Sequence, residues 1–240
     1  MTITASRTRL ALAALAAALA LALVGGTAAQ AKPVKVTGST TVTPSDQLKQ
    51  FLANNGVSVA TTGPATSADG KYTFPIVAGF GDTQTFNGVL VHSGGLRFTK
   101  GDRSVVVRRF VAVRAADKAL VLAQLPGKRG NCGQVKRALR RFAVNNPRVA
   151  KGVRRLAKRY PKAARKAVRA LRNYCSDGRV IVLAKLTNLG KSVQGGTATL
   201  TADLELSRQA ARLVNRLLGK KAVSAGAPLG SAVSTVTPAP

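Results

Sequence analysis

Short runs of alternating apolar and polar residues, separated by glycine turns, recur along this chain and limit what it can fold into. The clearest run is 197–206, where apolar residues alternate with mostly polar neighbours at Ala198, Leu200, Ala202, Leu204 and Leu206. Successive side chains of a strand point to opposite faces, so such a run predicts a strand with one buried face. Further strands are predicted at 34–43, 57–60, 71–77, 104–114, 118–125 and 179–189. The Arg108-Arg109 pair breaks the alternation within 104–114, which predicts a β-bulge there. Many short strands with glycine turns predict a mainly β fold, either a sandwich or a barrel-like body.

The stretch Phe86–Phe98 contains the only histidine of the chain. Two apolar runs flank Ser93-Gly94-Gly95, a pattern that predicts a β-hairpin with a glycine turn. Alternation places Phe86, Leu90 and His92 on one face of the first strand. His92 is thus expected at a strand end, beside glycines that allow backbone to approach a ligand closely. Two interpretations stay open: a ligand-binding histidine, or a histidine that hydrogen-bonds a loop carbonyl.

Two short helices are predicted beside these strands. The first begins at Pro44-Ser45-Asp46, ends at Gly56, and has apolar residues at i, i+3 and i+4, namely Leu48, Phe51 and Leu52. Ser207 caps the second, which ends at Gly219 and carries an apolar face of Ala210, Leu213, Val214 and Leu217. A further strand is predicted after each helix, at 57–60 after the first helix and over 222–228 after the second. This repeated order predicts internal pseudo-symmetry.

The first 31 residues have the pattern of a removable signal peptide. Arg7 and Arg9 precede the apolar run Leu10–Val24, which is shorter than the about 20 residues of a membrane-spanning helix. Ala29-Gln30-Ala31 matches an A-x-A cleavage site. We therefore expect a signal peptide over residues 1–31 and a secreted or cell-envelope-associated mature chain without a transmembrane span.

The chain is strongly basic, with 38 Lys and Arg against 8 Asp and Glu and a formal net charge of +30. Such a balance favours polyanionic partners, such as nucleic acid, cell-wall polymer or lipid headgroups. Export makes genomic nucleic acid an unsuitable target, so we expect no specific nucleic-acid partner. An anionic polymer of the cell envelope is the partner that the charge favours.

Cys132 and Cys175 bracket a segment with three helical patterns and almost purely basic outer faces. In an exported chain an even pair of cysteines predicts a disulfide. We therefore predict a basic, disulfide-closed helical insertion over 127–178, within a β domain formed by 32–126 and 179–240. The insertion is interpreted either as a solvated face or as a polyanion-binding surface, whose candidate residues are Arg140, Arg141, Arg154, Arg155, Lys158, Arg159, Lys162, Arg165, Lys166 and Arg169.

Motifs for catalysis and for metal binding are absent from the sequence. It contains no G-x-S-x-G elbow, phosphate loop, H-E-x-x-H, EF-hand or dinucleotide fingerprint. It also has no C-x-x-C, which argues against a zinc knuckle or a c-type haem attachment site. We therefore expect neither enzymatic activity nor a metal-ion site.

The run Phe74-Pro75, followed by Phe86–Phe98 and Val105–Val113, resembles the HtaA-type, or haem-transport-associated, domain of actinobacterial envelope proteins. That family has a core of the form G-x-V-x-F-x-G-H-x-G-x-L, followed by two strands. The resemblance covers about residues 36–125 and resumes at 179, and the basic insertion lies outside it. It implies an exported all-β body with short helices that binds haem at or near the cell surface.

In that family the motif histidine supports an iron-ligating tyrosine on the first helix. His92 matches the histidine, whereas the first helix of this chain offers Leu48 and Phe51 in place of the tyrosine. His92 and Tyr72 are then the candidate haem-binding residues of the β body. We predict an exported, non-enzymatic HtaA-like binding module with haem as its candidate ligand. The alternative is an envelope protein that adheres to anionic polymers through the basic insertion, without binding haem.

Overall fold

The structure is a computed structural model that describes residues 34–81, 88–115, 118–127 and 178–238. Its elements follow one another in the order β1 (Val34–Pro44), α1 (Asp46–Asn54), β2 (Ser58–Thr62), β3 (Thr66–Ala68), β4 (Lys71–Gly81), β5 (Gly88–His92), β6 (Gly95–Lys100), β7 (Arg103–Ala115), β8 (Lys118–Pro126), β9 (Gly178–Gln194), β10 (Thr197–Leu206), α2 (Arg208–Leu218) and β11 (Pro228–Pro238). The described chain is therefore mainly β, as the alternating runs predicted.

Eight of the strands close into an antiparallel barrel. Their order around the ring is β7-β5-β4-β1-β11-β10-β9-β8, and β8 pairs back with β7. Because the barrel is closed, each of these eight strands is paired on both sides over at least part of its length. β6 extends the sheet from the first half of β7, β2 pairs with β6, and β3 pairs with β4. Of the two predicted β architectures, the barrel is correct.

The predicted hairpin at Ser93-Gly94-Gly95 is wrong. β5 pairs with the second half of β7 and β6 with its first half, along the same edge, so the two form one interrupted strand. Gly94 has a φ of 82°, and a Cβ there would lie 2.7 Å from Ala65. The glycine thus serves a close approach between two backbone segments. The chain reverses at the next turn, between β6 and β7.

A bulge in β7 changes which of its side chains face the barrel interior. Arg109 has a φ of 52°, and the register with β8 shifts between Arg108 and Val111. Before the bulge Val107 faces inward, and after it Phe110 faces inward. Bulges redirect side chains in this way, and the paired arginines had predicted one here.

Both helices lie at the same end of the barrel, which we call the helix end. α1 follows β1 and α2 follows β10, and the last residues of both strands lie beside Gly230 of β11. The Ser45 and Ser207 side chains accept hydrogen bonds of 3.1 Å from the backbone N–H groups of Leu48 and Ala210. The predicted N-cap of the second helix is therefore confirmed, and Ser45 caps the first helix in the same way.

The largest buried cluster lies toward the helix end. It contains Ala65, Phe74, Val107, Phe110, Ala123 and Ile181. The rings of Phe74 and Phe110 meet edge to face, with their centroids 4.9 Å apart. Such an arrangement places the positive edge of one ring against the negative face of the other. This cluster stabilises the part of the barrel nearer the helices, and Phe74, Val107 and Phe110 also line a cavity that runs along the interior.

The position of the basic insertion follows from the two strands that flank it. β8 ends at Pro126 and β9 begins at Gly178, and these residues are paired. The intervening segment therefore leaves and rejoins the barrel at one place. The predicted helices of this segment, the predicted disulfide between Cys132 and Cys175, and the predicted signal peptide over 1–31 lie outside the described residues.

Candidate binding cavity

A largely apolar cavity of about 640 Å³ runs along the barrel interior. At the helix end it is lined by α1 and α2, and at the opposite end, which we call the far end, by Val36, Gly88 and Ala198. Its volume falls within the about 300–1,000 Å³ that is usual for small-molecule sites. Because protein interiors normally leave few voids larger than a water molecule, this cavity is the candidate binding site.

Small residues on three neighbouring strands keep the cavity wide. The lining of β9, β10 and β11 includes Gly190, Ala198, Ala202 and Ala232. Larger apolar side chains at these positions would fill the interior to the usual packing density. The alternation of small and large residues in the run 197–206 therefore has a structural consequence that the sequence pattern alone did not reveal.

The apolar faces of both helices line the helix end of the cavity, as their spacing allowed. α1 contributes Leu48, Phe51 and Leu52, and α2 contributes Leu213, Val214 and Leu217. The residues of α1 are half-buried, and no side chain of that helix is fully buried. In α2 four residues are fully buried. The two helices therefore differ in how firmly they pack on the barrel.

One polar cluster lies on the barrel wall, midway along the cavity. His92 ends β5 and is only 4% exposed. Its Nε2 lies 2.7 Å from Oγ1 of Thr40 on β1, and its Nδ1 lies 3.2 Å from the carbonyl oxygen of Phe110 on β7. Oγ1 of Thr40 lies 2.8 Å from Oγ of Ser234 on β11. The cluster therefore joins four strands of the barrel.

The hydrogen-bond partners determine where the protons of the cluster lie. A carbonyl oxygen can only accept, so Nδ1 of His92 donates to Phe110. In the neutral ring Nε2 then accepts from the Thr40 hydroxyl, whose oxygen accepts from Ser234. Burial lowers the pKa of His92 to about 4, although the hydrogen bond to the Phe110 carbonyl acts in the opposite direction. His92 is therefore a neutral imidazole near pH 7.

Glycine at position 38 is required beside this cluster. Gly38 lies on β1 between Ile76 and Val236 of the neighbouring strands, with a φ of 141°. A Cβ at this position would collide with the carbonyl oxygen of Thr235. Any other residue would push β11 away from β1 and would move Ser234 out of reach of the cluster.

Tyr72 lines the same cavity from β4, nearer the helix end than His92. Phe74 follows Tyr72 on the inner face of β4 and contacts Phe110, so this aromatic pair lies between the two candidate haem ligands. Partial burial raises the pKa of the Tyr72 phenol, which is therefore protonated near pH 7. The structure thus places His92 and Tyr72 on one cavity but at different heights along it.

The predicted polyanion-binding residues between Arg140 and Arg169 lie outside the described residues, as do both cysteines. Of the predicted site, the structure therefore describes His92 and Tyr72 alone.

Sequence reasoning missed several polar residues of the cavity, among them Thr40, Ser234 and Arg114. Nothing in the local sequence marks Thr40 or Ser234, because their strands are paired only by the closed fold. Arg114 was within reach of prediction, since it lies an even number of residues after the inward-facing Phe110. If every second residue after the predicted bulge is assigned to the barrel interior, starting from Phe110, Arg114 faces inward.

Among residues 34–81, 88–115, 118–127 and 178–238, no three His, Cys, Asp or Glu side chains are grouped so that they could hold a metal ion. In that same part of the chain, neither helix is long and apolar enough to cross a membrane.

Comparisons with known proteins identify the fold. No family model matches the chain, and neither does any curated protein. Among solved structures, the C-terminal domain of HtaA from Corynebacterium glutamicum matches 85% of this chain and 99% of that domain, with a TM-score of 0.52 and 12% sequence identity. The N-terminal domain of HtaA from the same organism matches 85% of this chain and 98% of its own length, with a TM-score of 0.49 and 12% identity.

The heme binding protein HtaB from C. glutamicum matches 85% of this chain and 94% of its own length, with a TM-score of 0.46 and 9% identity. Identities this low compare folds and not binding sites. The match to the C-terminal domain of HtaA includes nearly all of that domain, so the likeness is not confined to a few strands. The chain therefore has the HtaA-type fold, which confirms the resemblance indicated by the motif around His92.

Proposed function

We propose that this chain is an exported, non-enzymatic binding module whose barrel cavity takes haem at the cell envelope. The observation that carries the proposal is a neutral imidazole on the wall of a largely apolar cavity. The HtaA-type fold and the motif around His92 support the same ligand, because the family resemblance implies haem. Export rests on the predicted signal peptide over residues 1–31.

The protonation state of His92 suits iron ligation. Iron takes a neutral imidazole nitrogen, and His92 is neutral near pH 7 because burial lowers its pKa. The Nε2 lone pair accepts a hydrogen bond from Thr40. The Thr40 hydroxyl can turn toward Ser234, 2.8 Å away, and donate there instead. Exchange of one hydrogen bond for another would release the Nε2 lone pair at small energetic cost.

Tyr72 is the alternative ligand of the same cavity. Its phenol is protonated near pH 7 and would have to lose that proton to ligate iron. When bound, haem supplies the iron and an absorption spectrum that reports the ligand. The residues of this chain supply an apolar enclosure and one of two ligating side chains.

A haemin titration of the mature chain, followed at the Soret band, tests the proposal. We expect saturable binding with a Soret maximum shifted from that of free haemin. His92→Ala should move the maximum and weaken binding by about 10- to 100-fold if His92 is the ligand, a range typical of perturbed metal ligation. Tyr72→Phe should do so if the phenol is the ligand.

Thr40→Val is the matched control, because it removes the partner of Nε2 and leaves the imidazole in place. If His92 ligates iron, this variant should keep the Soret maximum and bind haemin at least as tightly. If His92 only stabilises the barrel, His92→Ala and Thr40→Val should both lower stability without changing the spectrum. An unchanged spectrum and affinity in both His92→Ala and Tyr72→Phe would remove both residues from the site.

Adhesion to anionic envelope polymers is the second candidate function, and the formal charge of +30 favours it. Charge-driven binding should weaken steeply between low and physiological salt, because counterions are released on binding. Deletion of Gly133 to Tyr174 should abolish it, since that segment carries the proposed cations. Co-sedimentation with purified envelope across a salt series measures both effects. Equal retention of the intact and deleted proteins, or binding that is indifferent to salt, would refute this function.

A further inference from the structure

A single charged side chain lines the cavity among the residues that the structure describes. It belongs to Arg114, near the end of β7. Its Nε is buried and has no hydrogen-bond partner. No Asp or Glu is among the described lining residues. A buried donor without a partner is unfavourable, more so when it is charged, and the described residues supply no anion to this guanidinium.

The neighbours of Arg114 leave space for such an anion. Arg114 lies opposite Gly88 on β5 and Ala119 on β8, which carry no side chain and a methyl group respectively. Both residues also line the cavity. They lie at the far end of the barrel, whereas the helices line the other end. Among the described lining residues, the cavity therefore has a cationic end and an end without charged side chains.

The length of the cavity suits an extended apolar chain. Along β10 the lining runs from Ala198 to Leu206, eight residue steps, or about 26 Å at about 3.3 Å per residue. Barrel strands tilt by about 40°, so this corresponds to about 20 Å along the axis. One acyl chain spans half of a hydrocarbon core of about 30 Å, or about 15 Å. An acyl chain would thus reach from the far end toward the helices.

The polar cluster midway along the cavity does not interrupt this path. His92 and Thr40 have their polar atoms paired with each other, with Phe110 and with Ser234. A wall whose hydrogen bonds are satisfied internally presents few unmet donors or acceptors to a passing methylene chain. The cavity is therefore largely apolar along its length, and Arg114 is the only charged side chain among its described lining residues.

From these observations we propose that the barrel binds a single-chain amphiphile with an anionic headgroup. The carboxylate or phosphate headgroup lies against the Arg114 guanidinium at the far end. The acyl chain lies along the barrel toward α1 and α2. The proposal goes beyond haem binding and does not depend on it, because it uses Arg114 and the apolar lining and requires no iron ligand.

Displacement of cis-parinaric acid, a fatty acid that fluoresces in apolar surroundings, measures this binding on the intact protein. The competitors are palmitate, a sixteen-carbon lysophosphatidate and neutral monopalmitin, which separate a free fatty acid, a lipid phosphate and an uncharged chain. We expect one or both anionic competitors to bind about 10- to 100-fold more tightly than monopalmitin, as a charge-assisted hydrogen bond to a buried group implies.

Substitutions at two arginines test whether the preference for anionic competitors arises at the far end of the cavity. Arg114→Met keeps much of the length of the side chain and removes its charge, so it should reduce the affinity for the anionic competitors to that for monopalmitin. Arg114→Lys should retain part of the preference. Arg97→Met is the matched control, since Arg97 is an exposed cation on β6 and does not line the cavity; it should leave all three affinities unchanged.

A variant in the middle of the cavity tests the position of the chain. Ala202→Phe should weaken all three competitors together, because the ring would occupy the path of the acyl chain. Equal affinities for anionic and neutral competitors, unchanged affinities in Arg114→Met, or no parinarate binding at all would overturn the proposal. If Arg114→Met does not fold, the comparison of competitors on the unaltered protein decides. His92→Ala leaves Arg114 in place, so the haem and amphiphile proposals fail separately.

Discussion

The helices α1 and α2 begin in the same way and end up packed very differently. Each follows a barrel strand, starts after a serine N-cap and turns an apolar face to the cavity. Yet α2 buries Ala210, Ala211, Leu217 and Leu218, whereas α1 buries no side chain completely. Similar local signals therefore produced one firmly docked helix and one that covers the cavity through half-buried contacts.

The start of α2 is hydrogen-bonded to β9 at the point where the register between β8 and β9 shifts. The backbone N–H of Ser207 donates to the Leu183 carbonyl at 3.0 Å, and its hydroxyl donates to the Val182 carbonyl. Oε1 of Gln209 accepts from the Val182 N–H at 2.8 Å. The pairing of β8 with β9 shifts register at this point, so α2 supplies partners for strand groups near the bulge. Ser45 instead contacts the residues that begin β11.

The two helices also end differently. Asn215 in α2 holds the following loop, because Oδ1 accepts from the N–H groups of Ala222 and Val223 and Nδ2 donates to the Val223 carbonyl, all at 2.8–2.9 Å. In α1 the side chain of Asn55 donates to the carbonyl of Phe51 within its own last turn. Capping residues thus fix where a helix lies in the sequence, while its attachment depends on side chains that reach other elements.

Acidification should give the largest loss of stability. It acts on His92, on the wall of the cavity that both helices line. The folded-state pKa of His92 is about 4, against 6.5 for the unfolded chain. Between these values the unfolded state binds a proton that the folded state does not, so stability should fall as pH drops from 6.5 to 4. The loss is about 3 kcal/mol, at about 1.4 kcal/mol per pKa unit.

Urea unfolding at several pH values measures this loss, and His92→Gln should remove most of it, because His92 is the only histidine. Variants of α1 and α2 should show the same pH dependence as the unaltered protein, since the hydrogen-bond partners of the imidazole lie on β1 and β7 and not on either helix. A flat stability curve between pH 4 and 6.5 would contradict a buried, neutral His92.

Truncation of one leucine in each helix should give smaller losses of stability, and the loss should be larger for α2 than for α1. Leu217→Ala should destabilise the protein by about 2–3 kcal/mol, because it leaves a cavity under a side chain that is 8% exposed. Leu52→Ala on the half-buried face of α1 should cost about 1 kcal/mol. Chemical denaturation of both variants gives the two values. Equal losses would mean that α1 is as firmly packed as α2.

Removal of the two asparagine side chains should give the smallest losses of stability. Asn215→Ala leaves three backbone groups of the loop after α2 without their partner and should cost about 2 kcal/mol. Asn55→Ala removes one hydrogen bond at a helix end and should cost about 0.5 kcal/mol. Hydrogen exchange should show faster exchange at 222 and 223 in the first variant only. Unchanged exchange there would argue that the loop is held by other contacts.

Local patterns predicted much of the fold because strands and caps depend on neighbouring residues. The run 197–206 forms β10 with the predicted bounds, and Ser45 and Ser207 cap the two helices. The segment 222–228 is mostly a loop held by Asn215, where a strand was predicted. The repeated order of elements does not extend to strand pairing. The strands on either side of α2, β10 and β11, pair with each other, whereas the strands on either side of α1, β1 and β2, do not.

The candidate site was predictable only in part, because its members meet through the closed barrel. His92 could be singled out as the sole histidine near glycines. Its partners Thr40 and Ser234 come together across 194 residues of chain, and no local pattern announces that contact. Ser93-Gly94-Gly95 was misread for a related reason, since a glycine needed for close approach to Ala65 resembles one needed for a turn.

The pairing of β1 with β11 has a consequence for how the protein matures. The seam joins residues as far apart in sequence as Thr37 and Thr237, so the barrel cannot close before the last strand has been made. Contacts between such distant segments carry a large loop-closure entropy and form slowly. Until β11 is in place, the interior is an open trough accessible to water. An enclosed cavity therefore forms late, on completion of the barrel.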